Sequence, residues 1–564
     1  MKIIKKYLSI LDSLNKKKFW LLVYLIALTL VLEVISIGSL LPFFKTILSE
    51  NNGNIFYTLF SYFNLDKENL IYFSIIFLGS IFLIKTIFVS YIIYLKHKFI
   101  FELSCSLSKR ILVNYQKYPI RKNLISKNAD VQRLILIDVS MTSGGILQMC
   151  NAFSEIIILF AALSILIYIE PIIITFFIFL SLIIFFIYKI FYKAKIINWG
   201  EMRKTYDTNR RSHIVDLLNT LVFSKLIGIK NYILDLYDSS NIKTNYYYQL
   251  RERWNEIPRT LLEFIAILFL LIMFCYFYLE GYSFENIVPI LGIFTLASLK
   301  IIISLNRLIV SINQILFCVP ALERVAIDIN QNVFDTKKII SSKNSKFNNI
   351  KFKNVYFKYN KKEIFKNLNF LINKKDFVGI YGPSGSGKST LLSLIMGVLE
   401  PSNGNIYING KDIKKFRFKI GYVGQSHNLT ENSIAENIAF GEKKEKINLN
   451  KIDKVLTSLG LKEFIKNLPN KLDTIISEKS SNLSVGQAQR LVIARALYFE
   501  PDILVFDEPT SSLDIKNEKE VIKMIQEFSK TKTVFIVSHK KKNLSYCNKI
   551  ISINKNLFKI NKKL

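Results

Sequence analysis

Gly382-Pro383-Ser384-Gly385-Ser386-Gly387-Lys388-Ser389-Thr390 fits the pattern G-x-x-x-x-G-K-[S/T] of a phosphate-cradling loop. The apolar run 377–381 before it reads as a buried strand, and residues 391–396 after it read as the first turns of a helix. The motif needs that order. Its glycines let backbone N–H groups converge on phosphate oxygens, and the helix start adds partial positive charge. Lys388 is expected to reach the β- and γ-phosphates, and Ser389 to ligate Mg²⁺. A glycine turn without a ligand would not require this context. The expected ligand is therefore a nucleoside triphosphate, and the open question is what its hydrolysis drives.

A chain of 564 residues is too long for one compact domain. Hydrophobic residues make up 51% of it and concentrate in the first half, which points to a membrane domain followed by a soluble one. The net charge of +33 suits nucleic acid or anionic lipid. Lys, Asn and Ile are abundant throughout, so part of that charge is compositional bias. The remainder is assigned to loops beside membrane lipid, and no nucleic acid partner is expected. Cys105, Cys150, Cys275, Cys318 and Cys547 are odd in number and widely spaced, unlike a disulfide framework or a zinc site.

Six apolar stretches are long enough to span: 19–44, 71–95, 148–168, 172–191, 261–279 and 287–317. The first follows Lys5, Lys6 and Lys16 to Lys18 and is too long for a cleaved leader. Lys and Arg crowd the segments before the first span, between the second and third, and between the fourth and fifth. The turns at 170–171 and 280–285 have none, so both termini are expected on the cytoplasmic side. Segments 96–146 and 192–258 read as helices continuing below the bilayer. The aromatic stretch 54–63 reads as an interfacial helix or an anchor belt. The domain plan is a transmembrane domain over 1–327, a polar linker over 328–348, and a domain over 349–564 with alternating strands and helices.

The run 503–506 ends in Asp507 and Glu508. Asp507 is placed to hold Mg²⁺, and Glu508 to polarise an attacking water as general base. Upstream stands Ser484-Val485-Gly486-Gln487. This resembles the signature of the ATP-binding cassette family, usually L-S-G-G-Q, with Val485 in place of the first glycine. Other elements of that family appear in order. Tyr359 matches the aromatic that stacks on adenine. Gln425 matches the glutamine at the γ-phosphate and metal. Residues 511–514 match the loop that communicates across a dimer, and His539 matches the switch histidine. The resemblance implies a homodimer in which the P-loop of one cassette faces Ser484, Val485, Gly486 and Gln487 of the other, enclosing ATP.

Six spans ahead of one cassette look like a type I exporter half-transporter. The fold class implied is an all-α six-helix membrane domain followed by an α/β P-loop domain, in the cell inner membrane. Lys85, Arg259, Lys300 and Arg307 lie in or at the ends of spans, where ionisable groups are functional candidates. The bland reading pairs them with Glu33, Glu155 and Glu263. Residues 32–36, 41–43, 257–259 and 304–307 resemble lipid-linked oligosaccharide flippases. That resemblance implies an anionic polyprenyl-linked glycolipid as cargo, its pyrophosphate met by the four cations. The alternative is export of a peptide, a lipid A-like lipid or a drug. No peptidase domain is seen ahead of the first span.

Overall fold

The computed structural model describes residues 2–39, 43, 67–117, 128–169, 171–228, 230–279, 284–330, 340–341, 347–359, 362–413, 416–417, 419–426, 428–476, 483–511, 513–554 and 557–562. Two compact units result, Met1–Tyr118 with Leu124–Val333 and Phe334–Leu564 with Pro119–Asn123.

The described part of the first unit is helical: Lys2–Ser9, Ser13–Gly38, Lys67–Lys117, Asn128–Arg133, Val139–Ile169, Pro171–Asn219, Leu221–Ile227, Lys230–Leu279, Phe284–Phe317 and Val319–Asn330. A π-helical turn, Leu134–Asp138, joins the fourth to the fifth. Several of these helices are apolar on all sides, so a single chain cannot bury them. Trp20, Leu21, Tyr24, Ile76, Ile84, Phe264 and Ile267 are exposed, as expected of surfaces that meet lipid or another protein. Among the described residues, five segments are long and apolar enough to cross a membrane: Ser13–Ser36, Ile71–Lys117, Asp130–Ser164, Asn231–Leu279 and Ser298–Phe317. The other expected span, 172–191, lies within the helix Pro171–Asn219. The aromatic stretch 54–63 lies outside the described residues.

Ser13–Gly38 packs on Lys67–Lys117 and Val139–Ile169. Phe284–Phe317 packs on Val139–Ile169, and Lys230–Leu279 lies beside Pro171–Asn219. The buried apolar cluster gathers toward the chain's N-terminal helices, with Tyr7, Ile10, Leu22, Ile26, Phe99, Leu103, Val139, Leu322 and Val325. Lys67–Lys117 has 51 residues, about 77 Å at 1.5 Å per residue. That is more than twice the ~30 Å of a hydrocarbon core. Phe99, Leu103, Leu107 and Ile111 of this helix are buried in the same apolar cluster, and a separate ion network joins other helices. Arg133 binds Asp138 at 2.8 Å and faces Asp207 at 3.7 Å, and Arg210 and Arg211 reach Asp207 at 2.5 and 3.5 Å.

The second unit is α/β. Its main sheet has six strands in the spatial order Leu557–Lys562, Lys549–Asn554, Phe377–Tyr381, Thr533–Val537, Ile503–Asp507, Ile420–Val423. All neighbours are parallel except the first pair. A four-stranded antiparallel sheet is built from Asn349–Tyr359, Lys362–Asn373, Asn403–Ile408 and Lys411–Asp412. The central strands are near-continuous apolar runs because both faces are covered, as parallel sheets require. One core, with Phe377, Leu504, Phe506 and Ile536, lies against the signature-bearing helix Val485–Tyr498. The other, with Ile380, Leu391, Val505 and Phe535, lies against the antiparallel sheet. The helix Val319–Asn330 runs through the first three residues of the polar stretch 328–348, and Ile340–Ser341 within that stretch forms a short strand with Phe416–Arg417.

Candidate nucleotide site and intramembrane charges

The loop 382–390 sits at the carboxyl end of Phe377–Tyr381, where parallel α/β sheets open their ligand crevices, and runs into the helix Lys388–Ile395. Gly387 is at φ +102°, a region that L side chains rarely adopt, and a Cβ there would lie 2.8 Å from Ile364 Cγ2. At Gly382 a Cβ would meet the Ile553 carbonyl oxygen at 2.4 Å. The loop is therefore shaped by its glycines. Lys388 is buried and donates to the carbonyls of Gly382 and Pro383 at 2.9 and 3.0 Å. Ser386 Oγ is buried and has no hydrogen-bond partner among the described residues. A buried donor without an acceptor is the complement of a phosphate oxygen, so the residues present fit a nucleotide phosphate.

Asp507 ends the strand Ile503–Asp507 and hydrogen-bonds the Ser389 side chain. Burial, and then the neighbouring Glu508, push its pKa up; the Ser389 hydrogen bond and Lys388 partly offset this. A divalent cation on Asp507 and Ser389 would relieve that penalty. Among the described residues no group of three or more His, Cys, Asp or Glu side chains could hold a resident metal.

Three polar side chains from three loops meet beyond the sheet. Glu508 Oε1 lies 2.6 Å from His539 Nε2, and Gln425 Nε2 donates to Glu508 Oε2 at 3.2 Å. Glu508 is itself at φ +52°, a backbone state uncommon for a non-glycine residue and found at functional sites. Tyr359 is partly buried, edge-on to Phe357 at 4.9 Å between ring centroids.

Ser484, Val485, Gly486 and Gln487 begin the helix Val485–Tyr498. Ser484 and Gln487 form a capping box: the Ser484 N–H donates to Gln487 Oε1 at 2.8 Å, and the Gln487 N–H donates to Ser484 Oγ at 3.2 Å. Val485 is exposed, 51% of its surface remaining open, so its side chain is not packed into the fold. We expect Ser484→Ala to cost about 1 kcal/mol at this helix start. Hydrogen exchange at the Gln487 amide should then quicken roughly fivefold; unchanged exchange would remove the cap's role.

Two supporting contacts went unread in the sequence. Arg495, on the same helix, donates to the carbonyls of Asn437 and Asn428 and to Asn437 Oδ1, all at 2.8 Å, and so ties the segment after Gln425 to the signature helix. Glu518 accepts from Thr510, Asn543 and Lys540, linking the loop after Glu508 to the loop after His539. Arg495 could have been suspected as a cation in an otherwise apolar helical run; Glu518 carries no local signal.

In the helical unit, the four flagged cations meet the three acids of the bland reading. Lys85 Nζ lies 2.9 Å from Glu33 Oε2 and 3.0 Å from Ser36 Oγ, and Lys300 binds the same Glu33 oxygen. Arg259 pairs with Glu263 at 2.8 Å one helical turn away. Arg307 stands 3.7 Å from Glu155. Lys85 is nearly enclosed, 13% exposed, whereas Arg259 and Arg307 are each 66% exposed.

Residues 365–511 match the family model described as ABC transporter. A putative export ATP-binding/permease protein of Rickettsia prowazekii is 35% identical over 243 residues, 42% of this chain and 42% of that protein. The alpha-hemolysin translocation ATP-binding protein of Escherichia coli O157:H7 is 38% identical over 209 residues, 36% of this chain and 29% of that protein. The chain thus spans less than half the length of these curated relatives in the matched regions. Over the whole chain, the structure of a bacterial Atm1-family ABC exporter with ATP bound superposes with a TM-score of 0.75 at 20% identity, covering 97% of this chain and 95% of that one. The fold is accordingly that of an ABC exporter: an N-terminal helical region with several candidate spans and a C-terminal α/β nucleotide-binding domain.

Proposed function

We propose that this chain is the half-transporter of an ATP-driven exporter and hydrolyses ATP to move an amphipathic substrate across a membrane. The observation carrying this reading is the convergence of Gln425, Glu508 and His539 beside a glycine-shaped loop, in a chain whose other unit holds membrane-length helices. Lys388 turns from the Gly382 and Pro383 carbonyls to the β- and γ-phosphates, and Ser386 donates to a phosphate oxygen. Ser389, Asp507 and Gln425 would hold Mg²⁺, which when bound would neutralise charge on the phosphates. Glu508 takes a proton from the attacking water, while His539 and Gln425 hold its carboxylate in position. Tyr359 stacks on the base.

Ser484, Val485, Gly486 and Gln487 complete the same site on a second copy of the chain, presenting the start of the helix Val485–Tyr498 to the γ-phosphate. The functional unit is a homodimer in the inner membrane with both termini cytoplasmic, and its domains are 1–327 and 349–564 joined by 328–348. Differential affinity of the closed dimer for ATP biases the helices between inward- and outward-facing states.

For the cargo, we favour an undecaprenyl-pyrophosphate-linked oligosaccharide flipped to the outer leaflet. Arg259 and Arg307, the more exposed of the four cations, are the first contacts for its pyrophosphate. Lys85 and Lys300 act behind them through Glu33. The test is ATP-dependent movement of a pyrophosphate-linked glycolipid by the purified chain in proteoliposomes. Movement that requires ATP supports the reading. Hydrolysis without movement transfers the cargo to a peptide, a lipid A-like lipid or a drug, and absence of hydrolysis defeats the engine itself.

A further inference from the structure

Glu508 and His539 touch, but their backbones are anchored unequally. The Glu508 N–H donates to the Val537 carbonyl at 3.2 Å, which fixes the start of its loop against the strand Thr533–Val537. The His539 N–H and carbonyl make no hydrogen bond among the described residues. Its placement therefore falls to the residues that follow it. Positioning of a catalytic pair matters at the scale of an ångström, so those residues carry weight in the chemistry.

The first of them is Lys540, whose Nζ reaches Glu518 Oε2 at 2.7 Å. Glu518 lies in the first turn of the helix Ile515–Ser529 and is 7% exposed. Its other oxygen, Oε1, accepts from Thr510 Oγ1 at 3.1 Å and from Asn543 Nδ2 at 2.7 Å. Thr510 and Asn543 are buried as well. Thr510 stands two residues after Glu508, Lys540 one after His539, and Asn543 four after His539. One carboxylate thus gathers the chain on both sides of the contact between Glu508 and His539. A buried carboxylate is costly without such partners, so neither loop can shift without breaking a hydrogen bond to a buried charge.

We propose that Glu518 is a positioning residue for ATP hydrolysis, which acts through Lys540 to hold His539 against Glu508. The proposal rests on the assignment of Glu508 and His539 to the hydrolytic step, and it makes their contact depend on an acid outside that pair. Loss of Glu518 slows hydrolysis and spares ATP binding.

The test uses the purified full-length chain in lipid nanodiscs. Glu518→Ala is expected to lower kcat at least about tenfold, the scale of hydrogen bonds to a charged group, with the KM for ATP within about twofold. Lys540→Met, whose parent side chain is 61% exposed, should lower kcat about two- to fivefold. Lys540→Arg keeps the ion pair and should retain the unmodified kcat. A second readout does not need turnover. The chain has four histidines, so with histidine-selective ¹⁵N labelling the His539 imidazole is identified by the signal lost in His539→Ala. In Glu518→Ala that signal should move toward its position in Glu508→Ala, where the contact cannot form. In a His539→Ala background, Glu518→Ala should add little further loss of kcat. If Glu518→Ala does not fold, Lys540→Met carries both readouts. An unchanged kcat, a loss confined to KM, an unmoved His539 signal, or a full further loss in the His539→Ala background overturns the proposal. Binding of ATP without hydrolysis by the unmodified chain strikes the hydrolytic reading instead, and the His539 signal then decides the positioning role by itself.

Discussion

Glu508→Gln is expected to lower ATP turnover by about 10²–10⁴-fold, the usual contribution of a positioned general base, and to leave ATP bound and unhydrolysed. The amide replaces the carboxylate at nearly the same volume. Its oxygen can still accept from His539, but its NH₂ cannot accept from Gln425 as Glu508 Oε2 does. The loss then falls on the proton acceptor more than on the loop. Single-turnover hydrolysis with radiolabelled ATP in the purified chain separates these effects. Turnover within a few-fold of the unmodified chain would remove Glu508 from the chemistry. Wild-type binding with no hydrolysis is the result that the geometry requires.

Glu33→Ala should be the most destabilising single change among the intramembrane charges. Glu33 is buried and its one oxygen serves both Lys85 and Lys300. Removing one partner of a buried pair costs about 3–5 kcal/mol because a buried charge is left uncompensated. Here two cations lose their acid together. Lys300→Ala should cost much less, since it leaves the pair of Glu33 with Lys85 intact. Thermal inactivation of ATPase activity in detergent provides the comparison. A smaller loss for Glu33→Ala than for Lys300→Ala would show that the shared acid does not hold these helices.

That asymmetry marks what the sequence could and could not disclose. The loop 382–390, the acidic end of the strand at Asp507 and Glu508, and His539 were legible because each is a local pattern whose chemistry depends on adjacent residues. The convergence of Gln425, Glu508 and His539 followed from motif order. Pairing of the cations with Glu33 was one of two readings the sequence left open; that Lys85 and Lys300 share it comes only from helix packing, since they lie 52 and 267 residues away. Arg495 and Glu518 act through loops that no periodicity describes. Apolar stretch length pointed to helices of membrane-spanning length and composition, five of which are found among the described residues where six were expected. The register of the two sheets had no such local signature.

The length of the helices in the first unit converts angle into distance. A rod of about 77 Å that tilts by roughly 5° moves its far end by about 7 Å, more than the length of a helical turn. Angular changes too small to break side-chain packing at one end become displacements wide enough to open or shut a passage at the other. Lys230–Leu279 carries Pro258 inside its length, as Phe284–Phe317 carries Pro289. The missing N–H of Pro258 removes one rung of the ladder, so that rod has a built-in joint immediately before Arg259.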